Sequence, residues 1–220
     1  MTTSSAVWSF ALVVGLLTLT PGLDTALIVR TAAAGQPRRA WGVVVGIQTG
    51  TLIWGILTSL GIAALLTASA LVYEVLRWAG AAYLVWMGVT MVWATHRPAH
   101  AAGRPEVAVG KPAATTAGER GSFSAAWRRG AATNLLNPKM GAFYVALLPQ
   151  FIPEGASPLT FGVLLACVHI TLGVVWSTVP VLMARRLRRV LQRPSVRRAM
   201  DRATGTVIAG FGVKLAMSSR

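Results

Sequence analysis

Six apolar stretches, at residues 6–29, 41–66, 70–94, 131–152, 158–183 and 203–218, constrain this chain more than any other feature. Each is close to the ~20 apolar residues that a helix needs to cross a bilayer. With 54% hydrophobic and only 12% charged residues in a chain of 220, the composition fits poorly with one soluble domain. The expected fold is therefore all-α: a polytopic membrane protein with six transmembrane helices. Residues 1–9 hold no Lys or Arg, and the first apolar run shows no small-x-small cleavage pattern, so it is expected to be a retained helix rather than a signal peptide.

Net charge +15 in a soluble protein would point to nucleic acid, so the placement of the basic residues matters more than their number. Arg30, Arg38 and Arg39 follow the first apolar run. Arg97, Arg104, Lys111, Arg120, Arg128 and Arg129 follow the third, and eight more, from Arg185 to Arg202, follow the fifth. In a six-helix topology those three connections share one side, which thus carries 17 basic residues against Arg220 alone on the other. The positive-inside rule makes the basic side cytoplasmic and puts both termini outside. Orientation and attraction to anionic lipid head groups, most evident in ARRLRRVLQRP from Ala184 to Pro194, account for the excess without nucleic acid. Arg77, Lys139 and Lys214 are the basic residues left within or at the edge of spans.

Residues 95–122, rich in Pro, Gly, Ala and Thr, read as a cytoplasmic linker between a first three-helix repeat at 1–94 and a second at 123–220. A shift of 120 sets WGVVVGIQTGTL, from Trp41 to Leu52, on FGVLLACVHITL, from Phe161 to Leu172, with four identities. A shift of 117 sets Pro21 on Pro138, and a shift of 125 sets RWAG at Arg77 on RATG at Arg202. Because each half has an odd number of spans, the repeats are expected to be inverted, with helices 1 and 4 interrupted at their proline motifs; this is a transporter pattern.

The two interruptions hold polar residues in apolar surroundings. TPGLD, from Thr20 to Asp24, combines Pro21, Gly22 and Asp24, and NLLNPK, from Asn134 to Lys139, combines Asn134, Asn137, Pro138 and Lys139. Freed backbone and a charge are tolerated within a bilayer where protein or a water-filled cavity surrounds them, which makes these residues the candidate substrate pathway. The alternative is a pair of proline kinks satisfied by Thr18, Thr20 or water, with Asp24 an interfacial acid beside Arg30 or Thr25 and Lys139 snorkelling to the surface. Gln48 adds an amide to the pathway. His169, matched with Thr49 at one depth by the shift of 120, is a candidate proton relay with Asp24, though a lone intramembrane histidine is more often a packing residue.

The ladder Gly42, Gly46, Gly50 forms a smooth face for helix packing, and together with the small size it is compatible with a homodimer. Trp8, Trp41, Trp93 and Trp127 lie near span ends, as interface anchors do. Cys167 is the single cysteine, and the three histidines lack ligand spacing, so neither a thiol relay nor a metal centre is expected. No Gly-x-Ser-x-Gly elbow or Walker-type loop occurs, and no cofactor is called for. An intramembrane enzyme has no evident constellation here, whereas a passive channel remains an alternative.

TPGLD, the basic turn QPRRA at Gln36, GAAYLVWMG at Gly80 and NLLNPKMGAFYVALLPQF from Asn134 to Phe151 together resemble the lysine exporter (LysE) type translocators, over nearly the whole chain. The resemblance implies a small multi-pass protein of the cytoplasmic membrane that exports amino acids or related zwitterions, driven by the proton gradient. Where that family usually carries a second proline in the first motif, this chain has Leu23.

The charge asymmetry generates a test of topology. In a background without Cys167, single cysteines at Thr3 and Ser219 should both react with an impermeant thiol reagent outside intact cells, and one at Thr116 only after permeabilisation. A cytoplasmic location for either terminus would overturn the six-span arrangement.

Overall fold

The computed structural model describes residues 2–20, 22–68, 70–95, 122–183 and 193–217; Pro21, nearly all of the expected linker and most of the arginine-rich run lie outside them. Helices α1 (Thr3–Leu19), α2 (Leu23–Ala33), α3 (Pro37–Ala68) and α4 (Ala70–Ala94) form the first half. The second contains α5 (Phe123–Leu135) and α6 (Pro138–Ala142), which continues through a π-helical turn (Phe143–Leu147) and a 3-10 turn (Leu148–Phe151), then α7 (Pro158–Leu182) and α8 (Pro194–Met217). No strand occurs among the described residues.

The helices follow the apolar runs, but among the described residues length and apolarity alone mark fewer crossings than six. Pro37–Gly61 and Pro158–Leu182 are each long and apolar enough to span. Helices α1 and α2 qualify as one span bent by 52°, and Trp78–Ala94 is a shorter apolar stretch. The remaining runs fall short for physical reasons: the fourth is divided between α5 and α6, and α8 begins with the polar segment Pro194–Arg202.

Small residues set the helix packing. A Cβ on Gly42 would sit 2.9 Å from the Phe123 carbonyl oxygen, one on Gly46 would strike the Trp127 carbonyl, and one on Gly50 would sit 2.7 Å from Asn134 Oδ1. Contact positions therefore rise together along both chains, and α3 and α5 run parallel. Gly162 meets Ser59, Gly55 meets Ala166 and Gly173 meets Gln48, so α3 and α7 are antiparallel. Gly88 meets Gly205 and Ala209 while Gly212 meets Ala81 and Val85, which makes α4 and α8 antiparallel as well. The expected glycine ladder is thus covered by α5 of the same chain and offers no open face to a second copy.

Two apolar cores result. One packs Phe10, Leu84, Phe143, Tyr144, Leu147 and Leu165, and the other packs Leu27, Ile28, Val43, Val44, Ile47 and Val181. Trp8, Leu12, Leu16 and Leu19 on α1, and Trp86, Val89 and Trp93 on α4, are exposed. Such stripes suit lipid rather than water. Trp8 and Trp93 remain outward, as interface anchors would. Trp41 instead packs on the second core, and Trp127 donates Nε1–H to Thr49 Oγ1 at 3.1 Å, so these two serve helix contacts.

Gly46→Leu should lower the thermal midpoint of the detergent-solubilised protein by several degrees or prevent its folding, because overpacking a close helix contact typically costs about 1–3 kcal/mol. Gly15→Ala, where nothing lies within 4 Å of an added Cβ, should leave the midpoint unchanged or raise it. Equal midpoints for the two variants would contradict the α3–α5 contact.

Candidate functional site

The site begins with two helices that stop where the surrounding chain is apolar. At the first break α1 ends at Leu19, and both the backbone N–H and the hydroxyl of Thr20 return to the Leu16 carbonyl, at 3.3 and 3.0 Å. Thr18 likewise donates to Val14 O at 2.7 Å. The chain restarts with Gly22 as the extended N-cap of α2, without a side-chain cap, placing Leu23 at the first helical position and Asp24 at the second. An acid there complements the positive end of the helix dipole.

The second break has the same layout with different chemistry. Helix α5 ends at Leu135, Asn137 Oδ1 accepts the Lys139 N–H at 3.1 Å as the N-cap of α6, and Pro138 occupies the first helical position. Proline suits this position, since its missing N–H would have no partner there and its fixed φ fits a helix start. Counted from the caps, Gly22 corresponds to Asn137, Leu23 to Pro138 and Asp24 to Lys139. The equivalence by structure is therefore a shift of 115, two residues from the 117 that aligned the prolines.

Across the middle, the breaks satisfy each other. Asp24 Oδ2 accepts hydrogen bonds from Asn134 Nδ2 at 3.0 Å and Asn137 Nδ2 at 3.4 Å. In return, Lys139 Nζ donates to the Leu17 carbonyl at 3.1 Å, in the last turn of α1 where helix carbonyls lack their own partners. Trp54 Nε1–H reaches the carbonyl of Asn134 at 3.4 Å. The interfacial alternative for Asp24, pairing with Arg30 or Thr25, is not the arrangement found: its partners come from the other half.

A cavity of about 60 Å³ opens between these elements, lined by Gly22, Asp24, Gln48, Asn134, Asn137, Lys139 and His169 among others. That volume is room for a few waters. Pro138 is exposed and does not line it, and Pro21 lies outside the described residues. Thr49 and His169, expected at one depth, are not brought together: Thr49 donates to Val45 O and accepts from Trp127 on the α5 side, while His169 faces the cavity.

Several lining residues were missed by sequence reasoning. Thr51, Trp176 and Ser177 contribute polar groups to the wall, and nothing in their spacing sets them apart from ordinary span residues. Thr20, also in the wall, hydrogen-bonds Thr204 of α8, so the end of α1 is tied to the second half. Tyr144, fully buried on the π-helical turn, places its hydroxyl 3.0 Å from His169 Nδ1. Asp201 is a buried acid one turn before Thr204, hidden in the sequence by the surrounding arginines.

Chemically, the residues lining the cavity hold unfilled hydrogen-bonding capacity of both kinds. Asp24 Oδ1 and Asn134 Oδ1 are buried acceptors, and Trp176 Nε1 is a buried donor, all without partners. Each such group costs about 1–3 kcal/mol when unmatched, so together they favour a ligand or water that supplies the complement. An ammonium fits the acceptors, and a carboxylate fits the Trp176 donor and the Lys139 charge. Among the described residues no group of three His, Cys, Asp or Glu side chains is placed to hold a metal ion.

Comparison with known proteins adds the ancestry of this arrangement. The chain is 31% identical over 211 residues to a homoserine/homoserine lactone efflux protein of Salmonella typhimurium, covering 95% of this chain and 96% of that protein. It is 29% identical over 211 residues to an uncharacterized membrane protein of Vibrio cholerae, covering 96% of each. A threonine efflux protein of Escherichia coli is 26% identical over 204 residues, with 91% of this chain and 92% of that protein covered. No solved structure matches. The family model described as LysE type translocator matches residues 15–219, and this chain belongs to that family.

Proposed function

We propose that this chain is a secondary transporter of the cytoplasmic membrane that exports amino acids or related small zwitterions, coupled to the proton gradient. The observation that carries the reading is the pair Asp24 and Lys139, contributed by opposite halves to one cavity whose lining residues hold unpaired acceptors and an unpaired donor, the complements of the two ends of a zwitterion. Family membership and relatives named for homoserine, threonine and leucine efflux support it.

The transporter is a six-span protein of two inverted repeats, residues 1–94 and 123–220, joined by a cytoplasmic linker at 95–122, with both termini outside and its basic side against anionic lipid. Three features favour this. The two halves each begin with a broken helix, α3 and α7 begin 121 residues apart at Pro37 and Pro158, and the parallel α3–α5 and antiparallel α3–α7 and α4–α8 pairs are those that alternating spans require. Asp24 is the proton-carrying group of the proposal, since it lines the cavity and one of its carboxylate oxygens is unpaired, able to take a proton or a substrate ammonium in turn once the site rearranges.

Cells carrying the gene and overloaded with individual amino acids should release at least one of them faster than cells lacking it. Lys139→Met should reduce that export about tenfold or more at matched membrane levels, because removing an intramembrane charge does not hinder insertion. With wild-type protein export should rise as external pH falls, and Asp24→Asn should flatten that dependence. Wild-type rates for Lys139→Met would remove the zwitterion site, and an unaltered pH dependence in Asp24→Asn would remove the proton role of Asp24.

A further inference from the structure

Tyr144 and His169 form a buried pair that the charge-pair reading leaves unused. Tyr144 is 0% exposed and His169 5%. The hydroxyl lies 3.0 Å from Nδ1, the two rings are inclined by 12° with centroids 5.8 Å apart, and Phe143 closes the other side edge-on at 5.8 Å. The π-helical turn that carries Tyr144 inserts an extra residue into the helical turn, a distortion concentrated at functional sites.

The hydrogen of the Tyr144 hydroxyl decides the state of the histidine. Sealed from solvent, the hydroxyl has one hydrogen-bond partner among the described residues, His169 Nδ1, with the Cys167 thiol the other titratable group close enough to act on it. If Nδ1 carried a proton, as in the Nδ1–H tautomer or the imidazolium, the phenol hydrogen would be buried without an acceptor, an arrangement strongly disfavoured in a dry site. Tyr144 therefore donates, Nδ1 accepts, and the ring proton sits on Nε2. The hydrogen bond found for the ring is the one at Nδ1, and His169 belongs to the cavity wall, where Nε2–H is left for a ligand.

We infer that His169 is a neutral Nε2–H donor that binds the acceptor end of the transported solute, a carboxylate, and that Tyr144 is the positioning residue that holds it in this tautomer. This rests on the export reading for the identity of the solute, and it assigns His169 a binding role rather than either sequence alternative, a packing residue or a proton relay. The titratable groups around it fit. Lys139 on α6 places a cation at the same cavity, Asp24 on α2 lines it farther along, and α3 brings only the neutral Gln48 and Thr51. Cys167 on α7 itself is an exposed thiol that acts on Tyr144 rather than on the histidine ring. A neutral donor next to Lys139 gives a carboxylate two partners without crowding two cations together.

The test has a spectroscopic arm and a transport arm. With His96→Gln and His100→Gln and an affinity tag free of histidine, His169 is the single histidine, and its ring nitrogens can be read by 15N NMR in lipid at near-neutral pH. The spectrum should show one protonated and one unprotonated nitrogen in the Nε2–H pattern, and Tyr144→Phe should replace it with a mixture of tautomers. An Nδ1–H or imidazolium spectrum, or no change in Tyr144→Phe, would overturn the inference. In proteoliposomes with labelled L-homoserine, L-threonine and L-leucine, His169→Leu should raise KM about tenfold or more with a smaller effect on the maximal rate. His169→Gln, whose amide can donate from nearly the same place, should recover most of the loss, and Tyr144→Phe should raise KM about threefold or more. A relay predicts the reverse: His169→Gln as inactive as His169→Leu, which would overturn the binding role. If wild-type protein moves none of the three solutes while the Nε2–H spectrum stands, the export reading falls and the solute half of this inference falls with it, leaving the Tyr144 bond established.

Discussion

A helix that stops inside a membrane leaves backbone groups that lipid cannot satisfy, and the architecture of this protein depends on how that problem is solved. The solution is reciprocal. Asp24, at the start of α2, takes its hydrogen bonds from Asn134 and Asn137 at the other break, and Lys139, at the start of α6, gives its hydrogen bond to Leu17 at the end of α1. Neither break is satisfied by its own half alone. The two halves are therefore held together at the point where each is weakest, and the polar groups that make the repair also make the cavity.

Close packing around that centre is what keeps so short a chain able to enclose a cavity. Glycine at positions 42, 46 and 50 lets α5 lie on α3 almost backbone to backbone, and Gly173 makes room for the Gln48 amide between α3 and α7. The third of these contacts brings Asn134 against Gly50, so the same seam that binds the halves also aims a cavity residue. Replacing one of those glycines perturbs packing and site together, which distinguishes this seam from the outward faces of α1 and α4, where Trp8, Leu12 and Trp86 are exposed.

The breaks and the charges were legible because they contradict their surroundings: an acid, a lysine and two asparagines in apolar runs have few explanations, and those described residues do share one cavity. What the sequence leaves unread is the rotation of each helix about its axis. Thr49 and Gln48 are adjacent, yet one turns to Trp127 and the other to Gly173. Trp127, set near a span end, reads as an anchor until its indole N–H is seen to have a partner on α3. Tyr144 was invisible for a different reason, since an aromatic in an apolar run looks like core, and only the π-helical turn and the hydrogen bond to His169 separate it from Phe143 beside it. The proline register was off by two because the helices restart from their caps, Gly22 and Asn137, rather than from a common proline position.

On the export reading, the reciprocity of the breaks also says how a zwitterion can act on the protein and not merely occupy it. An ammonium that settles on Asp24 competes for the carboxylate that now receives Asn134 and Asn137, and a carboxylate that settles on Lys139 competes with the Leu17 carbonyl. All three hydrogen bonds with which such a solute competes are bonds between the halves. A solute with only one of the two charges would loosen one clasp and leave the other closed, so the preference for a zwitterion lies in the movement as well as in the fit. The hydrogen bond between Thr20 and Thr204 is untouched by such a solute and keeps the end of α1 on α8. Binding would then free α2 and α6 at the cavity while α1 stays anchored, which makes the two breaks the hinges about which the halves can move.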